Sequence, residues 1–418
     1  MRFPFERRET ISLVALLLFS FLVRLLLFPL PGYKADLSTF AAWFDAAAEH
    51  GIRVFYNVVW SDYPPFNVYL FWIFGSLAKQ LSPSGTNIVF FIKLLPNLFD
   101  TATALLIFAF VRKRLSFKIA LLATALYAFN PAVIFNAAVW GQYDAIYTFF
   151  LVLSLMLVLA SRPELSAVAL TVGLLTKPQG IALAPLIVFL IFRKYGWRRL
   201  LTSLLVAAAT IFAVIIPFEW SNPITFLTNI YFGAYGGYAY TSVNAFNIWA
   251  FGGMWRPDTQ FFFLTGWIMF GALVVFALYV LYKRLDVSGE VLILFSAFML
   301  FFGFFMLPTR IHERYLFPTL SILALIIPFA KKVRPIYAVL TFTCLANQTY
   351  VLDFLNGDRF IQFGDPVVWI VTLINLVAFL YALMQMIEGL RGQGLSQAQS
   401  SQKPIGARLK GSSGNAHQ

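Results

Sequence analysis

Asp36 stands in Gly32-Tyr33-Lys34-Ala35-Asp36-Leu37, a few residues after an apolar run that closes at Pro29 and Pro31. A carboxylate there lies at headgroup level and can take a proton from a hydroxyl carried on a lipid. The competing reading is that Asp36 caps the helix that follows, since Asp is a favoured N-cap and its charge suits the N-terminal dipole. Further along, Arg310-Ile311-His312-Glu313-Arg314 crowds four ionisable side chains between the apolar runs 290–307 and 315–330. Arginine grips a phosphate through parallel hydrogen bonds and histidine can add another. Arg310, His312 and Arg314 are therefore candidates for holding a phosphate, with Glu313 orienting His312 or Arg314. Lys177 sits at a helix break beside Pro178, where its ammonium can enter a protein-lined cavity and join them. Tyr63, Gln142 and Asp144, from Tyr63-Pro64-Pro65 and Trp140-Gly141-Gln142-Tyr143-Asp144, are supporting candidates. Arg24 and Lys93 read as cations snorkelling from helix ends, and Asp100, mid-helix, as a structural hydrogen-bonding group.

The elements that must position these groups are membrane helices. Of 418 residues 60% are hydrophobic and only 12% charged, with 47 Phe, which excludes a soluble globular domain. The run 10–30 is long enough to span, follows Arg2, Arg7 and Arg8, and has no small-residue cleavage site, so it reads as an anchor helix. Further apolar segments fall at 88–111, 117–136, 143–160, 165–176, 180–192, 200–217, 260–282, 290–307, 315–330, 335–352 and 366–387, predicting about twelve transmembrane helices in an all-α polytopic protein.

Basic residues cluster at alternate connections: Arg112-Lys113-Arg114, Arg193-Lys194, Lys283-Arg284 and Lys331-Lys332. The positive-inside rule makes these connections and both termini cytoplasmic. The net charge of +13 is then an orientation signal, with no nucleic-acid partner implied. On the opposite face lie a first external loop, 31–87, and a long one, 219–259. The first loop should carry an amphipathic surface helix with Leu37, Phe40, Ala41, Phe44 and Ala48 on one face, followed by an interfacial or re-entrant segment over 65–81. A single membrane domain over 1–388 precedes a Ser-, Gln- and Gly-rich cytoplasmic tail, 389–418, expected to be disordered. The lone cysteine, Cys344, gives no disulfide, and no nucleotide-binding glycine pattern or metal-ligand spacing is present, so no metal and no cofactor is expected.

In this order the motifs resemble the GT-C superfamily of polyprenyl-phosphate-sugar-dependent glycosyltransferases, most closely the dolichyl-phosphate-glucose glucosyltransferases. The likeness rests on Asp36 followed seven residues later by Trp43, on Tyr63-Pro64-Pro65, on Lys177-Pro178-Gln179, on Val243-Asn244-Ala245-Phe246-Asn247-Ile248-Trp249 and on His312-Glu313-Arg314. It runs over roughly residues 10 to 320. Trp140-Gly141-Gln142-Tyr143-Asp144 is more similar to prokaryotic and mannosyltransferase branches. The paired first-loop acids of the family are reduced to Asp36, Arg314 replaces a lysine, and Pro178 is added. The resemblance implies inverting transfer of a hexose, mannose or glucose, from a polyprenyl-phosphate donor to a lipid-linked glycan, lipid or protein at the outer membrane face. Asp36 is the implied base. A lipid-linked oligosaccharide flippase and a diphosphate-donor glycan polymerase remain the rival classes. The one-sided distribution of polar residues favours the enzyme over the flippase.

Overall fold

The computed structural model describes residues 7–81, 87–219 and 221–392, so the expected tail lies outside the described residues from 393 onward. It is all helical there. The chain runs α1 (Arg7–Leu27), α2 (Lys34–His50), α3 (Phe55–Val58), α4 (Phe66–Leu81), α5 (Ile88–Arg112), α6 (Phe117–Ala128) and α7 (Pro131–Ile134). After a π-helical turn, Phe135–Trp140, come α8 (Asp144–Leu159), α9 (Pro163–Leu174), a 3-10 turn over Pro178–Leu183, α10 (Ala184–Ile215) and α11 (Pro223–Gly236). The chain closes with α12 (Gln260–Met306), α13 (Phe317–Ile326), α14 (Arg334–Asn356) and α15 (Pro366–Leu390). Glycines in extended, positive-φ conformations break α10 at Gly196 and α12 at Gly289.

The outer surface is apolar. In α1, Ile11, Val14, Leu18, Phe19, Leu22 and Leu26 all face outward, while Ser20 and Arg24 are buried. Such a stripe suits lipid as its solvent. Six helical stretches among the described residues are long and apolar enough to cross a membrane: Arg7–Leu27, Ile88–Arg112, Pro178–Ile215, Gln260–Leu285, Gly289–Met306 and Pro366–Leu390. The bent pair Phe117–Ala128 and Pro131–Trp140 can make a seventh. About twelve crossings were expected from the apolar segments. The difference arises because several of those segments form short helices: α8 has 16 residues, α9 has 12 and α13 has 10. At 1.5 Å per residue even 16 residues reach only about 24 Å, short of the ~30 Å hydrocarbon layer. Every residue of α13 is buried in the protein, so its apolar composition does not mark a face turned to lipid.

The helix after Asp36 differs from expectation in what it faces. Phe40, Trp43, Phe44 and Ala47 of α2 are buried, and they share one apolar cluster with Val68, Phe71 and Ala78 of α4. A Cβ on Gly75 would run into the carbonyl of Phe44, so α2 and α4 meet with almost no side chain between them. The apolar face of α2 is therefore turned to protein, and the predicted bilayer contact is not how that face is buried. α4, at 16 residues, is itself too short to cross upright.

Candidate functional site

Asp36 is not a cap. The N-cap of α2 is Tyr33, which makes no side-chain capping bond, and Asp36 sits in the first helical turn. Its Oδ2 accepts hydrogen bonds from Trp140 Nε1 at 2.9 Å and Gln142 Nε2 at 2.5 Å. Its Oδ1 has no partner among the described residues. Trp140 ends the π-helical turn and Gln142 follows its C-cap, Gly141 at φ 86°, with the Gly141 and Gln142 amides both donating to the Asn136 carbonyl. Widened turns of this kind re-aim side chains and concentrate at functional sites. The approach is tight from both sides, since a Cβ on Gly32 would run into the Trp140 carbonyl and one on Gly141 would lie 3.1 Å from Leu37. Trp43, two turns after Asp36, packs at a tilt against Tyr63 with ring centroids 5.0 Å apart. The seven-residue spacing puts the carboxylate and that aromatic prop on nearly the same side of α2.

Lys177 comes to the same region from the break between α9 and the 3-10 turn. It is buried, donates to Asp144 Oδ1 at 2.8 Å, and lies 5.4 Å from the centre of the Tyr63 ring. The Asn67 amide fastens the Tyr63-Pro64-Pro65 loop to this break, donating to the carbonyls of Thr176 at 2.6 Å and Pro64 at 3.2 Å. Arg314 completes the cluster: Nη1 donates to Glu313 Oε1 at 2.5 Å, and Nε stands 3.7 Å from Asp144 Oδ2. Burial pushes Lys177 below the usual lysine range while Asp144 opposes the shift, and burial pushes Glu313 up against the pull of Arg314. Lys177 has three N–H donors and Arg314 five, so most of them are still available to a ligand.

These groups open on a cavity of about 380 Å³. Lys177, His312, Arg314, Arg310, Tyr63, Gln179 and Tyr315 line it together with aromatic side chains of α11 and α12. The segment after α11 clasps the His312 loop: the Val243 amide donates to the Ile311 carbonyl at 2.9 Å, and the Tyr238 ring lies 4.9 Å from that of His312. Burial, with Arg314 and Lys177 nearby, holds His312 well below the usual histidine range, so it faces the cavity as a neutral hydrogen-bonding group. Arg310 lines the cavity too, but its guanidinium is engaged by Asp258 through Nε at 2.9 Å and Nη2 at 3.2 Å. Asp36 is not among the lining residues, although its charge is felt by Asp62 and Arg314.

Asp62 is the lining residue that sequence reasoning passed over. It precedes Tyr63-Pro64-Pro65 directly, its carboxylate has no side-chain partner among the described residues, and burial pushes its pKa up. Position beside a motif was the available signal. Arg24 and Lys93, read as snorkelling cations, are instead fully buried: Arg24 pairs with Asp100 at 2.8 Å, and Lys93 donates to the carbonyls of Phe28 and Leu30 at 2.8 and 2.6 Å. No group of three or more His, Cys, Asp or Glu side chains that could hold a metal ion occurs among the described residues.

A family model described as glycosyltransferase family 87 matches residues 60–308, more than half of the chain. The chain belongs to glycosyltransferase family 87. This is a GT-C-type family, so the superfamily resemblance read from the motifs holds. Within this family 87 member the matched stretch includes Asp62, Tyr63, Gln142, Asp144 and Lys177, whereas Asp36 precedes it and residues 310–314 follow it. No curated protein matches the chain.

Proposed function

We propose that this family 87 glycosyltransferase transfers a hexose from a polyprenyl monophosphate to an acceptor hydroxyl with inversion, on the membrane face opposite its basic connections. The observation that carries the reading is the pairing of a carboxylate held by Trp140 and Gln142, with Oδ1 left open, with a neighbouring cavity supplied with spare N–H donors by Lys177, Arg314 and neutral His312. In the proposed step Asp36 Oδ1 takes the acceptor proton as the acceptor oxygen bonds to the anomeric carbon. The bond from that carbon to the phosphate oxygen breaks, and the polyprenyl phosphate leaves with the electron pair. Donors fixed before reaction where charge develops lower the barrier without reorganisation. The leaving phosphate then needs no proton from a general acid.

Tyr63 and Trp43 are assigned to supporting one wall of the site. Arg310 is assigned to the cavity wall, where Asp258 holds its guanidinium. The test is direct: detergent-purified protein is given radiolabelled polyprenyl monophosphate mannose or glucose with a membrane lipid extract. Label should move to a new lipid or glycan product in a manner dependent on Asp36. Transfer only from a diphosphate-linked donor would establish the polymerase reading, and movement of intact lipid-linked glycan between leaflets of reconstituted proteoliposomes, without bond cleavage, would establish the flippase.

A further inference from the structure

A second cavity, about 300 Å³, is walled by three stretches remote in sequence: Tyr33 ahead of α2, Asn244 and Trp255 between α11 and α12, and residues 351–361 around the end of α14. Its backbone is unusual. Asn244 at φ 63°, Trp255 at φ 56° and Asp358 at φ 49° all adopt left-handed conformations, which is rare for a residue as bulky as tryptophan. Strained conformations of this kind cluster at ligand sites. Trp255 is held there by its amide on the Ser242 carbonyl at 2.9 Å and its indole N–H on Asn244 Oδ1 at 2.7 Å.

The wall also has groups ready to bind something. The Tyr33 hydroxyl, the Asn244 amide nitrogen and the Asp358 carboxylate have no hydrogen-bonding partner among the described residues, and the Phe360 ring is 79% exposed. Arg359 pairs through Nη2 with Asp353 at 2.5 Å, so with Asp358 the three side chains carry a net negative charge, which disfavours a phosphate. Flat aromatic faces set among planar hydrogen-bonding side chains suit a neutral pyranose, whose C–H face packs on a ring while its hydroxyls donate to a carboxylate and accept from an amide.

Position ties this cavity to the chemistry. Trp140, which donates to Asp36, shares one apolar cluster with Tyr33, Val351, Leu355 and Ile361 of the cavity wall. Tyr33 precedes Asp36 by three residues, while the first cavity lies toward Lys177 and Arg314. Inversion requires the nucleophile to arrive opposite the leaving group. An acceptor must therefore approach from a side of the site other than the one holding the phosphate, and the second cavity offers such an approach.

We propose that the second cavity is the acceptor subsite, binding a neutral hexose of the acceptor glycan against Trp255 and Phe360, with Asn244 and Asp358 taking its hydroxyls. This rests on the transferase reading above. The test is saturation-transfer NMR on the full chain in a non-glycoside detergent, titrated with methyl α-D-mannopyranoside and methyl α-D-glucopyranoside. Saturable millimolar binding of at least one hexoside is expected, weakened about tenfold by Phe360→Ala and by Asp358→Asn and unchanged in Lys177→Gln. Both replaced residues are exposed, so their variants should fold. Wild type without saturable binding, or both variants binding as wild type does, would overturn the subsite. Transfer activity that persists with wild-type hexoside binding in both variants leaves the transferase reading standing without the subsite. Binding lost in the variants of a chain that transfers nothing removes the transferase reading and leaves a hexose-binding cavity.

Discussion

Two buried charge clusters lie in this membrane protein, and they are finished differently. In the first, Arg24 donates to Asp100 at 2.8 Å, to Asn97 at 3.1 Å and to the Ala128 carbonyl at 3.1 Å, and Tyr127 donates to the other Asp100 oxygen at 2.8 Å. No side-chain atom of those four residues is buried without a partner among the described residues. In the second, built from Lys177, Asp144, Glu313 and Arg314, the buried Arg314 Nε, Gln142 Oε1, Gln179 Oε1 and Asn136 Oδ1 have none. The second opens on a cavity. A closed network fixes helices to one another, whereas unused donors and acceptors beside a cavity are what a polar ligand would complete. Ionisable type alone does not distinguish a strut from a site.

The comparison breaks most plainly at Arg24. Arg24→Met should leave Asp100 buried and unpaired, lowering stability by about 3–5 kcal/mol, while Arg24→Met with Asp100→Leu should recover much of the loss. Thermal unfolding in detergent reads both, and transfer per folded molecule should match wild type. Lost transfer in a stable double variant would move the first cluster into the site. Asp36→Asn should do the reverse, leaving stability near wild type and reducing transfer at least ~10²-fold, the usual scale for losing a general base. A variant that keeps more than about a tenth of the activity would deprive the site of its proposed base.

Lys177→Gln should raise the KM for the polyprenyl-phosphate donor by an amount equivalent to about 1.5–3 kcal/mol, the loss of a charge-assisted hydrogen bond. Unchanged donor dependence in folded protein would make Lys177 a strut like Arg24. The smallest effect concerns pH. His312 is held below its usual range, so the unfolded chain takes a proton on this residue before the folded one does as pH falls through about 6.5. That contribution is present above this pH and is lost below it, by up to about 1.4 kcal/mol per unit. Asp62 and Glu313, both pushed up, act with the opposite sign. Unfolding midpoints of wild type and His312→Gln between pH 7.5 and 5.5 isolate the histidine, and the variant should lose less stability on acidification. Parallel curves would mean that His312 titrates alike in the folded and unfolded chain and is not held neutral in the site.

What the sequence by itself determined was the solvent and the inventory. Apolar composition required a membrane, and the order of Asp36, Trp43, Tyr63-Pro64-Pro65, Lys177 and His312-Glu313-Arg314 pointed to a GT-C transferase before any distance was known. Helical periodicity also told correctly that α2 is amphipathic, because a 3.6-residue repeat is written into one chain. Its partner was not legible. Whether Phe40 and Phe44 meet lipid or α4 depends on Gly75, a residue in another helix that lets the backbones close. Segment composition left the number of crossings open for the same reason, since a stretch apolar enough for lipid is equally at home inside protein, as α13 is. The tertiary structure alone decided which charges are used up. Arg24 met Asp100, Arg310 met Asp258, and Asp36 kept one oxygen open, because each pairing joins residues more than fifty positions apart and is set by packing that no local pattern encodes.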